Sequence, residues 1–266
     1  MTTLAAIFLP SQPPERVIPV AVAAEAAGLA ELWVFEDCFS ESGIATATAM
    51  LAATSQLTVG IGLLPVPLRN VALTAMEVAT MARMFPGRLT AGVGHGVQEW
   101  MAQVGARAES PMTLLREYTV ALYALLRGQS LTRHGRYVHL DDVALDWPPQ
   151  AVPPLLVGAV GPRSLELAGE LSDGVIIPGG RSLADVAAGI EHYRQARAVA
   201  RPSAGGGQVV AFTSTSADTP AADVAAVVTA IAGAGVDRVA ISDADEEGDL
   251  ERFVTFLGTQ VRPLLG

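Results

Sequence analysis

Short apolar runs alternate with longer helix-patterned segments along the whole chain. The strand-like runs occupy residues 4–9, 31–35, 57–62, 88–93, 155–159, 174–177, 208–212 and 236–241. Helix-patterned segments follow them: 14–27, 44–53, 71–85, 111–127, 162–171, 183–200, 220–232 and 247–257. The boundaries carry recognisable signals. Gly28 suits a helix terminus, Asn70 an N-cap, and Ser110-Pro111 a serine cap followed by proline at the first helical position. Residues 131–145 break the alternation with two short runs around Gly135, which predict a hairpin insertion. Eight strand-helix units without a linker or low-complexity tract predict one α/β domain over residues 1–266, a (β/α)8 TIM barrel. A doubly wound open sheet is the competing arrangement.

Composition narrows the function. Half the residues are hydrophobic and only 5% aromatic, which suits buried parallel strands covered by small-residue helices. A formal net charge of −10 weighs against nucleic-acid or anionic-membrane partners and favours a small-molecule ligand. The single Cys38 excludes an internal disulfide, and the apolar start ends too soon at Pro10 for a signal peptide or a membrane span. A cytoplasmic protein is expected.

In a barrel, the loops that follow the strands share one face, where ligands bind. Those loops hold the chain's most suggestive chemistry. Gly94-His95-Gly96-Val97-Gln98 places a histidine between two glycines, where it projects with little local packing and titrates near neutrality, making His95 the best acid/base candidate. Asp37 follows the second strand and can accept a hydrogen bond from a heterocycle or move a proton; alternatively, Glu36 or Asp37 pairs with a neighbouring cation or caps the next helix. Gly158-Ala159-Val160-Gly161-Pro162-Arg163-Ser164 has the small residues and donors of an anion site at a helix start, or of an ordinary glycine turn. Glu99-Trp100 supplies an aromatic wall or begins a short surface helix. Cys38 has no adjacent cation to activate it, and His134, His139 and His192 show no metal-ligand spacing, so no metal site is expected.

Four segments, residues 26–37, 58–70, 86–96 and 153–163 with 172–175, resemble the luciferase-like monooxygenase superfamily in order and spacing, particularly members that use the deazaflavin F420 in place of FMN. The resemblance spans nearly the whole chain. It implies a luciferase-like barrel with the cofactor ring over the strand ends and hydride transfer at its central ring. It also implies a non-proline cis peptide at Gly62-Leu63 or beside it, behind the ring. By the same likeness, Gly158, Ala159, Val160, Gly161, Pro162 and Arg163 hold the phosphate end, and Gly94 to Gln98 lie beside the ring. Asp37-Cys38 matches an acidic-residue and histidine pair of deazaflavin members, with cysteine replacing the histidine here. That departure moves the proton-handling expectation to His95.

The resulting expectation is an F420-dependent oxidoreductase acting on a small organic substrate, with catalytic roles for His95 and Asp37 and a homodimeric state common to such barrels. Three alternatives remain: an FMN-dependent monooxygenase or reductase, a non-catalytic flavin-binding barrel, and a lyase or isomerase without a redox cofactor.

Overall fold

The computed structural model describes residues 2–266. Eight parallel strands close into a barrel: β1 (Thr3–Phe8), β2 (Glu31–Val34), β3 (Thr58–Pro65), β4 (Leu89–Gly94), β7 (Leu155–Gly158), β8 (Gly174–Ile177), β9 (Gln208–Thr215) and β10 (Arg238–Asp243). They pair in that order, and β10 returns to β1 through Thr3↔Arg238 to Ala6↔Ile241. Closure rules out the open sheet. The remaining strands, β5 (Leu131–His134) and β6 (His139–Val143), form a separate antiparallel hairpin at the predicted insertion.

Helices α1 (Val17–Ala26), α2 (Gly43–Ala53), α3 (Val71–Met84), α5 (Pro111–Leu126), α6 (Pro162–Leu171), α7 (Leu183–Ala200), α8 (Ala221–Gly233) and α9 (Leu250–Phe256) surround the strands. The short α4 (Gln98–Gln103) follows β4. Capping chemistry explains several starts. Asn70 accepts the Ala72 N–H at 2.9 Å, and Ser182 accepts the Asp185 N–H at 3.1 Å. Ser110 differs from its predicted role: its hydroxyl lies 2.8 Å from the Thr113 hydroxyl and caps no backbone group, although Pro111 does open α5. The eighth barrel strand begins at Arg238, two residues later than expected, and Asp237 just before it accepts the Val209 N–H through its carboxylate and the Thr3 N–H through its carbonyl.

Two apolar layers hold the barrel. One lies between strands and helices; the other fills the interior with Ala5, Ile7, Trp33, Leu156, Ile176, Val210 and Ala240. Trp33 is fully buried and crosses the interior, where its ring meets Phe212 edge-on at 5.6 Å between centroids. Gly60 makes room for it, since a Cβ there would stand 2.4 Å from the indole. Each fully buried aliphatic or aromatic side chain contributes about 1.5–3 kcal/mol, so this inner layer is a rigid base for the loops above it.

β3 runs three residues beyond the expected end at Gly62, and its register against β4 shifts between Ile61 and Leu64. Ile61 pairs with Ala91 but Leu64 with Val93, so β3 carries an extra residue, a bulge. The expected cis bond is not at Gly62-Leu63. The non-proline cis peptide among the described residues joins Cys38 and Phe39, and the bulge reshapes the end of β3 instead.

The hairpin is tied to α5 by one carboxylate. Glu117 accepts the N–H groups of Arg136, Tyr137 and Val138 at 2.9, 2.9 and 3.0 Å. These bonds hold its carboxyl below the usual carboxylate range despite burial. A Cβ at Gly135 would sit 2.4 Å from that carboxylate, which accounts for glycine at the bend.

Candidate active site at the strand ends

A cavity of about 510 Å³ opens where β2, β3, β4, β7, β8 and β9 end. Its base is apolar. Phe35 and Phe212 pack at 5.1 Å between centroids above Trp33, and Gly62 leaves space for them, since a Cβ there would lie 2.8 Å from Phe212. Beside them, a Cβ added at Gly94 or Gly158 would approach Leu63 Cδ2 to 2.5 or 2.4 Å. Two glycines on neighbouring strands therefore let the Leu63 side chain lie flat across β4 and β7. The β3 bulge makes this possible, because strict alternation would not turn both Gly62 and Leu63 toward the barrel mouth.

The two carboxylates after β2 have separate environments. Glu36 is buried, accepts the Gly43 N–H at 2.9 Å and binds the Arg69 guanidinium through both oxygens, with Nη2 at 3.1 Å and Nη1 also in contact. It thus pairs with a cation and caps α2, both roles that the sequence left open for Glu36 or Asp37. Arg69 is further held by Glu77 at 3.4 Å. Asp37 lines the cavity half-buried, and burial pushes its carboxyl above the usual range. Cys38 is half-buried and outside the lining; burial, Glu36 and Asp37 push its thiol up, which opposes thiolate formation.

His95 lines the opposite side. Its Nδ1 is buried without a hydrogen-bond partner, and burial moves the imidazole below its ordinary pKa against an opposing backbone contact with Pro111. The ring is therefore neutral at physiological pH and can accept a proton. Gly96 adopts φ +66°, letting the loop turn over Pro65 before α4. Both roles considered for Trp100 coexist, because it belongs to α4 and its ring walls the cavity with Val97. Gln98 is behind this wall, its amide 3.3 Å from the His95 carbonyl.

Gly158, Ala159, Val160, Gly161 and Ser164 complete the far side. Ser164 uses its hydroxyl locally, donating to the Gly161 carbonyl at 2.9 Å and accepting the Val160 N–H at 3.2 Å. Pro162 and Arg163 do not line the cavity. With His95, Met112, Gly161 and Ser164 they line an adjoining surface groove at the start of α6. Gly94 also stands outside the lining, beneath Leu63.

Three lining residues carried no expectation as site residues: Phe35, Ile176 and Phe212. Strand alternation offered a signal for one, since Phe35 shares the inward face of β2 with Trp33. No hairpin residue lines the cavity.

The arrangement offers a flat apolar seat, an unpaired carboxylate at one side, a neutral imidazole at the other, and a groove with an arginine alongside. The luciferase-like monooxygenase profile matches residues 2–256. A 5,10-methylenetetrahydromethanopterin reductase from Methanolobus tindarius is 31% identical over 170 residues, 64% of this chain and 52% of that protein. An F420-dependent glucose-6-phosphate dehydrogenase from Mycobacterium avium is 30% identical over 182 residues, 63% of this chain and 54% of its own. The chain thus spans about half the length of these curated relatives. In fold it is similar to an F420-dependent secondary alcohol dehydrogenase solved with an F420-acetone adduct, at TM-score 0.92 and 17% identity over 100% of this chain and 99% of that one. The oxygenating constituent of 3,6-diketocamphane monooxygenase from Pseudomonas putida, solved with FMN, shares the fold at TM-score 0.82 and 15% identity, covering 100% and 99%. Among the described residues no helix is long and apolar enough to cross a membrane, and no cluster has the make-up of a metal site. Closed barrel, strand-end cavity and a profile match running from residue 2 to 256 agree: the chain belongs to the luciferase-like monooxygenase family.

Proposed function

We propose that this chain is an oxidoreductase that binds the deazaflavin F420 and transfers a hydride between it and a small organic substrate. The observation that carries the reading is the cavity: a flat apolar base flanked by the unpaired Asp37 carboxylate and the orphaned, buried His95 Nδ1. F420-dependent relatives at about 30% identity support the choice of cofactor. The residues present fit a planar ring. Leu63, Phe35 and Phe212 offer apolar surface to one of its faces, and Gly62 keeps that surface low.

Bound there, F420 supplies a hydride donor or acceptor in its central ring. Asp37, Gly96 and Val97 border the ring, Gly158, Ala159, Val160 and Gly161 its side chain, and Pro162 and Arg163 the phosphate end at the start of α6. Cys38, Gly94 and Gln98 act from behind, shaping the loops without forming the wall. His95, held neutral, takes or returns the substrate proton; Asp37 accepts a hydrogen bond from the ring edge or shares that task. Trp100 and Val97 restrict water at the open side.

The test adds F420 or FMN to cofactor-free protein and follows each titration by fluorescence. F420 is expected to bind at micromolar concentration and in preference to FMN. Binding of neither cofactor at that concentration would overturn the proposal. Turnover across carbonyl, imine and enone substrates should fall at least about 100-fold in His95→Ala, the usual scale for losing a general acid/base.

A further inference from the structure

Eighteen residues line the cavity and only three of them titrate: Glu36, Asp37 and His95. None of the 17 arginines of this lysine-free chain is among them. The cations nearest in sequence are committed or displaced. Arg69 is bound by Glu36 and Glu77, Arg163 belongs to the adjoining groove at α6, and Arg181 lines a neighbouring pocket on the other side of Pro178 and Phe212. Two residues of the lining expose apolar side chains: Val97 is 41% exposed and Val160 48%. Apolar groups at a mouth are costly in water, and an apolar molecule entering there removes that cost.

An anion in the cavity would meet the reverse conditions. It would lose water, find no cation, and face Asp37. At a separation of about 6 Å and an effective dielectric constant of about 20, one carboxylate alone disfavours a second anion roughly 100-fold. The anionic end of the cofactor escapes this because the groove at Arg163 is outside the cavity.

We propose that the substrate is an uncharged, largely hydrocarbon molecule that enters past Val97 and Val160, and that the site excludes phosphorylated and carboxylated analogues. The oxidoreductase reading supplies the reaction and seats the cofactor ring on Leu63, Phe35 and Phe212; the substrate preference rests on the same cavity offering no cation in its lining.

The test uses the uncharged dye Nile red, bound to the cofactor-free chain, with methyl pentyl ketone or its carboxylate-terminated analogue as competitor at pH 7. The ketone displaces the dye, while the carboxylate needs at least about 30-fold higher concentration. In Val97→Arg, which adds a cation at the half-exposed rim, the gap narrows to less than about 5-fold. Equal or better displacement by the carboxylate in the unaltered chain overturns the proposal, as does failure of both dye and ketone to bind. A parallel F420 titration separates the two readings. F420 binding without ketone displacement removes the substrate class alone; displacement without F420 binding removes the redox assignment alone.

Discussion

Replacing Arg69 with methionine tests whether the Glu36 clamp holds the loop that presents Asp37. Glu36 is 8% exposed and the Arg69 side chain 15%, so both charges are largely out of water. In Arg69→Met the carboxylate keeps the Gly43 N–H at 2.9 Å and loses the guanidinium on both oxygens. Breaking a buried pair from one side typically costs 3–5 kcal/mol; the retained N–H and the partial exposure of Arg69 bring the expectation to about 2–4 kcal/mol. For a chain of this size that is a fall of about 5–15 °C in Tm. The companion variant, Arg69→Met with Glu36→Gln, removes the stranded charge and should recover at least about half of the loss. Differential scanning calorimetry at neutral pH measures both, and F420 titration of each variant reports the loop. A Tm change below about 1 °C, or a double variant less stable than Arg69→Met, refutes the clamp.

Further outcomes follow from single contacts. Gly158→Ala drives a methyl into Leu63 Cδ2, so it should cost about 1–3 kcal/mol in urea unfolding and weaken F420 binding, with Leu63→Ala restoring stability; unchanged binding counts against the flat seat. Glu117→Gln removes the charge from three hydrogen bonds and should lower stability by about 1.5–3 kcal/mol at pH 7. Because the Glu117 pKa is lowered by folding, its contribution is full above the unfolded carboxylate pKa and disappears as pH falls through the folded value; an equal deficit at strongly acidic pH contradicts the assignment. Asp37 has the opposite sign, its folded pKa being raised, so the burial cost of its charge grows as pH rises past the unfolded value. Asp37→Asn should therefore raise Tm at pH 7 but not below the unfolded pKa, while lowering turnover; a lower Tm at pH 7 would show that the carboxylate has a stabilising partner.

The barrel was legible in the sequence because eight apolar runs repeat at helix-sized intervals, and Asn70 and Pro111 mark two helix starts correctly. His95, Asp37 and the run from Gly158 to Gly161 could be assigned to the mouth because each directly follows a strand. The end of β3 was harder. Gly-Leu-Leu-Pro reads equally well with or without a bulge, and only pairing with β4 fixes the extra residue. Glu36 and Asp37 are adjacent carboxylates, and the difference between them depends on Arg69, a residue 33 positions from Glu36. Phe212 was invisible for a similar reason: it becomes part of the cavity only when β9 brings it against Phe35.

The bulge in β3 is also a coupling between shape and count. At it, Gly62 and Leu63 belong to the base of the cavity while Leu64 and Val66 belong to the layer under the helices. Deleting either inward residue would remove the bulge: Ile61 and Leu64 would keep their places opposite Ala91 and Val93 and their helix-facing side, and one inward position would stand where there are now two. The bulge is therefore a point where the cavity base can change by a whole residue while the strand's core register is kept, whereas point substitutions adjust it gradually.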